Sequence, residues 1–228
     1  MTASSGAASS SAASSGATDS GAASSGATKI MVIRHAEKPG VYDKASYAGI
    51  DLYGNADPES LVTIGWQRAG GLASLFDPFY TDVVPGTLAL PQFLFAADPG
   101  EESNPTSSDP DKEPSQRPYQ TILPLSLKLN LSVDTKHKKK DYDKMVAKAL
   151  GRSGVVLVAW QHQDIPSIGN EILSQTGTSG ITVPQSWPGA RYDLVWVFDR
   201  PTGTGPITQF TQVPQMLLAG DQNTIIGS

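Results

Sequence analysis

The chain has no cysteine among its 228 residues. Disulfides, iron–sulfur clusters and thiolate zinc sites are therefore excluded, and a reducing compartment fits. It has no apolar run near the roughly 18 residues that a membrane helix needs, and its N-terminal stretch has neither a basic n-region nor an apolar h-region. A cytoplasmic location and no membrane partner are the expectations. Positive charge is also scarce: the formal net charge is -5, which argues against nucleic acid as a partner, so any anion must be held in a local pocket.

Large apolar side chains are missing from residues 1 to 28 after Met1, a run of Ala, Ser, Gly and Thr in which Gly-Ala-Ala-Ser-Ser recurs. Nothing there offsets the entropy of ordering, so a disordered tail is expected over 1–28 and a single folded domain over 29–228. Hydrophobic content of 39% and charged content of 17% suit a globular domain of that size.

Within that domain Ile30 to Ile33, Phe93 to Ala97 and Gly154 to Trp160 are short unbroken apolar runs, the pattern of strands buried on both faces. A further strand is read at Asp193 to Asp199, with Ile207 to Leu218 as a β segment able to pair with it through the Pro201 to Gly205 turn, and a short edge strand at Leu129 to Val133. Helices are read where apolar residues recur at helical spacing: Leu72, Leu75 and Phe76, ended by Asp77-Pro78; Tyr119, Ile122 and Leu125, bent or cut short by Pro124; Met145, Ala149 and Leu150, turned inward on a surface helix that includes the solvated basic run Lys136 to Lys140; and Ile168, Ile172 and Leu173. Pro39 to Ser60 and Asp98 to Pro114 read as long loops. Strands alternating with helices predict an α/β fold, a three-layer αβα sandwich with a mostly parallel central sheet.

In such sheets ligands sit at the C-terminal ends of the strands. The first strand ends in Arg34-His35 and the third in Gln161-His162, with Arg117 at a further junction ahead of a helix. Two arginines and two histidines converging on one point would suit a phosphoryl group. A guanidinium donates two parallel charge-assisted bonds to phosphate oxygens, and a neutral imidazole can attack phosphorus.

These residues resemble the histidine phosphatase superfamily, which includes phosphoglycerate mutases, acid phosphatases and phosphohistidine phosphatases. Arg34-His35-Ala36-Glu37 resembles its opening motif. Leu61 to Ala69, with Gly65, Arg68 and Ala69, resembles the following Leu-Thr-x-x-Gly stretch, Ser115 to Thr121 the segment of the second arginine, and Trp160-Gln161-His162 the second histidine. The resemblance implies a phosphoglycerate mutase-like fold and a metal-independent phosphatase needing no cofactor. His35 would be the nucleophile that becomes phosphohistidine, Arg34 and Arg117 would hold the phosphoryl oxygens, and His162 would donate a hydrogen bond to the transferred group. A phosphorylated small molecule or phosphoprotein would be the substrate.

The general acid is left open. Some members use a glutamate after the second arginine and others an aspartate directly after the second histidine, but Gln163 follows His162 here and Asp164 comes one position later. Glu37, Glu101, Glu102 and Asp134 are further candidates, and Lys38 is a possible source of positive potential. Without an acid, good leaving groups would be favoured. The alternatives are a non-catalytic phospholigand-binding protein of the same fold, a phosphomutase, and a metalloenzyme using His35, His137 and His162, which the lysines around His137 oppose.

Overall fold

The computed structural model describes residues 26–42, 45–79, 87–100 and 115–227. Most of the expected tail, most of the loop at 98–114 and both Glu101 and Glu102 lie outside the described residues. In chain order the elements are β1 (Ala27–Arg34), a small hairpin of β2 (Gly40–Tyr42) and β3 (Ala45–Tyr47), α1 (Thr63–Phe76), β4 (Phe93–Ala97), α2 (Arg117–Leu129), β5 (Val133–His137), α3 (Tyr142–Leu150), β6 (Gly154–Trp160), α4 (Ile165–Gln175), β7 (Leu194–Asp199) and β8 (Gln209–Pro214).

Six strands form one sheet in the order β5-β4-β6-β1-β7-β8. The pairs β5/β4, β4/β6 and β6/β1 are parallel, while β7 and β8 add an antiparallel edge. Side chains alternate across the sheet and feed two cores. Met31, Ile33, Leu157 and Ala159 pack with Leu72 and Phe76 of α1 and Ile122 and Leu125 of α2. Ile30, Val32, Val156 and Val158 pack with Met145 of α3 and Ile168 and Ile172 of α4 on the other face. Burial on both faces is why these strands read as unbroken apolar runs. The result is the expected αβα sandwich with a mostly parallel central sheet. No helix among the described residues is long and apolar enough to cross a membrane.

Three readings change. Pro124 does not end its helix: α2 runs through it to Leu129. An interior proline costs about 3 kcal/mol, but Ile122 and Leu125 beside it are both fully buried, and burying such side chains contributes about 1.5–3 kcal/mol each. The edge strand is β5, four residues later than expected, because Leu129 closes α2 and Asn130 ends it in the left-handed region with φ 53°. Lys136 and His137 therefore belong to that strand, and the helix after them starts only at Tyr142. On α3, Val146 joins Met145 and Ala149 in the core while Leu150 is half-buried.

Candidate active site

Three parallel neighbours, β4, β6 and β1, bring their C-terminal ends together. Arg34 lies in register with Trp160, and the His35 amide donates to the Trp160 carbonyl at 2.9 Å. The residues that follow on these two strands, His35 and Gln161-His162, thus emerge side by side. A cavity of about 220 Å³ contains His35, Arg117 and His162 on its wall. This is smaller than the roughly 300 Å³ at which pockets for drug-sized ligands begin, and it suits a compact group.

His35 is buried, and its Nδ1 lies 2.7 Å from the Ala36 carbonyl oxygen. A carbonyl only accepts, so Nδ1 carries the hydrogen and the lone pair of the neutral ring is on Nε2. Burial, then the positive charges of Arg34 and Arg117, hold this imidazole well below its ordinary pKa. His162 is half-buried and pushed down to about 4 by burial and by the charges of Arg34 and Lys38. Its Nδ1 has no hydrogen bond among the described residues.

Arg117 begins α2. Its Nη1 donates to the Pro58 carbonyl and its Nη2 to Glu59, each at 3.0 Å, while its buried Nε has no partner among the described residues. The loop read at Pro39 to Ser60 therefore clamps this guanidinium. Thr121 ties the same helix to the loop after His35: its hydroxyl accepts from the Ala36 amide at 2.8 Å and donates to the Arg117 carbonyl at 2.7 Å. Gln120 does likewise for the next loop, donating to Ser60 at 2.7 Å and accepting from the Leu61 amide at 2.9 Å.

Arg34 closes β1. It is fully buried beside the cavity and is not on its wall. Its Nη1 donates to the carbonyls of Gly189 at 2.6 Å and Arg191 at 3.0 Å, and its guanidinium lies 3.7 Å over the Tyr192 ring. The charge still reaches both imidazoles, as their lowered values record.

The acid candidates separate by place. Asp164 precedes α4, lines the cavity and accepts from Lys140 at 3.1 Å. Glu37 does not line it. Its carboxylate accepts from Arg68 Nε and Nη2, the latter at 2.7 Å, and borders a separate cavity of about 670 Å³. Arg68 also reaches Asp221, so the motif resembling the family's second stretch supplies a buried ion-pair cluster. Gly65 serves the same loop, since a Cβ there would come within 2.6 Å of the Glu37 carbonyl oxygen. Asp134 lies on β5, paired with Lys148 and Arg152. His137 is also on β5 and does not share the cavity of the other two histidines; among the described residues no group of three metal-ligating side chains occurs.

Sequence reasoning missed several wall residues. Ser115 and Gln161 are buried on the cavity wall, and their side-chain polar atoms have no hydrogen bond among the described residues. Leaving such groups unsatisfied costs about 1–3 kcal/mol each, so a polar ligand that engages them gains accordingly. Lys139 and Lys140 also line the cavity. Placing the Lys run in a helix hid them; β5 instead ends at His137 and delivers them to the same sheet edge.

The lowered imidazoles predict an acid-sensitive fold. In the unfolded chain both titrate near about 6.5, so below that pH the unfolded state binds more protons than the folded state. Their contribution is complete above about pH 6.5 and is lost as pH falls toward about 4. The lowered carboxyls of Asp51, Asp134, Asp141 and Asp221 add to the loss only from about pH 5 downward, at the acid end of that window, and His162→Gln leaves their share in place. Urea midpoints should drop between about pH 7 and pH 4.5, and drop less in His162→Gln. A profile that the substitution leaves unchanged would contradict a neutral, desolvated His162.

No family model matches the sequence, and no curated protein matches it. Among solved structures the chain is similar to SixA from Agrobacterium tumefaciens, named as a candidate phosphohistidine phosphatase. The two share 13% identity and a TM-score of 0.34, over 81% of this chain and 97% of that one.

Proposed function

We propose that the protein is a metal-independent phosphatase, a phosphoric monoester hydrolase that works through a phosphohistidine on His35. The supporting observation is the state of His35: a neutral ring with Nδ1–H held by the Ala36 carbonyl, sharing a small cavity with Arg117 and His162. Nε2 forms a bond to phosphorus as the bond from phosphorus to the ester oxygen breaks, and that oxygen takes a proton. Arg117 Nε, Ser115 and the Gln161 amide, which have no hydrogen bond among the described residues, donate to the equatorial oxygens in this reading. His162 donates a hydrogen bond to the transferring group, and the Arg34 charge offsets the dianion from behind. Water then attacks the phosphorus, the N–P bond breaks and inorganic phosphate leaves. A phosphorylated small molecule or phosphoprotein serves as substrate.

Asp164 is the proton donor in this reading, being the one carboxyl on the cavity wall among the described residues. Hydrolysis in EDTA of an alkyl phosphate and of a nitrophenyl phosphate tests both points. Wild type should turn over both. Asp164→Asn should lose about 10²- to 10⁴-fold on the alkyl ester, whose leaving group needs the proton, and under about tenfold on the aryl ester. Equal losses on the two would remove Asp164 from this role, and activity that EDTA abolishes would remove the metal-independent mechanism.

A further inference from the structure

A charge that reaches both imidazoles is held by residues outside every motif read in the sequence. Arg34 depresses His35 and His162 alike, although it lies beside the cavity and not on its wall. How far such a charge favours a phosphoryl dianion depends on where the guanidinium is kept, because Coulomb attraction falls with distance.

Contacts from residues 189–192 keep it. The Gly189 and Arg191 carbonyls engage one terminal nitrogen, Nη1, whereas the Tyr192 ring lies against the central carbon, 3.7 Å from ring centre to Cζ. Arg34 and Tyr192 are both buried, so water does not screen the attraction between the cation and the ring face. The ring is anchored from both sides along the chain. Arg191 before it donates to the Thr224 carbonyl at 2.7 Å, and the Arg191 carbonyl accepts from the Trp187 indole at 2.8 Å. Asp193 after it accepts from Arg191 Nε at 2.7 Å and from the Gln222 amide at 2.6 Å. The anchored ring also faces the nucleophile, its centre 6.2 Å from that of the His35 imidazole.

Resting on the phosphatase reading, we propose that Tyr192 is a positioning residue of this site: the face of its ring holds the Arg34 guanidinium beside His35 and His162, where the charge offsets that of the bound phosphoryl group. Tyr192 touches neither phosphorus nor the leaving group in this role and acts through Arg34.

The test compares Tyr192→Phe with Tyr192→Leu in the full chain. Both lack the hydroxyl, so the step between them isolates the aromatic face whatever the hydroxyl contacts. Calorimetry with inorganic phosphate reads binding without turnover, hydrolysis of phenyl phosphate reads kcat/KM, and urea midpoints show that each variant is folded. From Phe to Leu, phosphate affinity and kcat/KM should each fall by about five- to tenfold. In an Arg34→Gln background the same step should change phosphate affinity by less than about twofold, because the group that the ring acts through is gone. If Arg34→Gln does not fold, Arg34→Met, which fills the space without a buried charge, replaces it. A Leu variant that matches the Phe variant in phosphate affinity or in kcat/KM overturns the role, and so does a gap in affinity as large without Arg34 as with it. An affinity gap that depends on Arg34, in a chain that hydrolyses no ester, would sink the phosphatase reading and leave the hold on Arg34 standing. Wild-type protein that neither binds phosphate nor turns over the ester overturns both.

Discussion

His35→Ala is expected to reduce kcat for phosphomonoester hydrolysis by about 10⁵- to 10⁶-fold, the scale seen when a covalent nucleophile is removed from a site that acts as a unit. The size follows from the geometry. His35 Nε2 is the lone-pair nitrogen of a ring whose other nitrogen is engaged with Ala36, and Ala offers nothing in its place. Residual catalysis would come from Arg117 and His162 orienting water against a bound ester. The protein should remain folded, because the substitution forfeits one hydrogen bond and the tilted ring contact with Tyr192 at 6.2 Å while the strands on both sides stay paired. Circular dichroism and a urea titration beside the assay separate the two effects. An alanine variant that keeps more than about a hundredth of the activity would assign the nucleophile elsewhere.

Arg68→Met is expected to destabilise the protein by about 3–5 kcal/mol, the cost of leaving a buried charge network without its counterion. Arg68 donates to Glu37 through Nε and Nη2, and to Gln215 and Asp221 through Nη1 at 3.0 Å each. All four side chains are nearly inaccessible, so the methionine variant leaves two carboxylates facing each other in a desolvated site. Glu37 is two residues from His35, and its carbonyl accepts from the Val62 amide at 3.1 Å. Loosening the cluster therefore disturbs the loop after His35 as well as the fold. Adding Glu37→Gln and Asp221→Asn to Arg68→Met should recover much of the loss, since it removes the orphaned charges. Chemical denaturation of the single and triple variants measures this, and a single variant within about 1 kcal/mol of wild type would show that the cluster contributes little.

The parts of the molecule legible in sequence are those set by local pattern. β1, β4 and β6 are buried on both faces, so each is an apolar run, and a strand end followed by His, or by Gln-His, marks where side chains leave the sheet. That was enough to bring His35, Arg117 and His162 to one cavity. What stayed hidden depends on partners far along the chain. Glu37 has an acidic side chain beside a histidine in the sequence, but Arg68 and, through it, Asp221 at the far end of the chain determine that it serves packing. Arg34 is drawn off the cavity wall by the carbonyls of Gly189 and Arg191 and by the Tyr192 ring, contacts that no local pattern encodes. Lys139 and Lys140 were misplaced for a different reason: a lysine-rich edge strand carries no apolar alternation to distinguish it from the start of a surface helix.

Trapping the covalent intermediate tests the central claim most directly. Wild-type protein, EDTA and an aryl phosphate are mixed, quenched in alkali within the first turnovers and read by intact mass and peptide mapping. A chain heavier by one phosphoryl group, with the modification on the peptide that contains His35, stable in alkali, lost in acid and absent from His35→Ala, is the predicted result. Turnover with no phosphorylated chain at any time, or with the phosphoryl group on a residue other than His35, would contradict it.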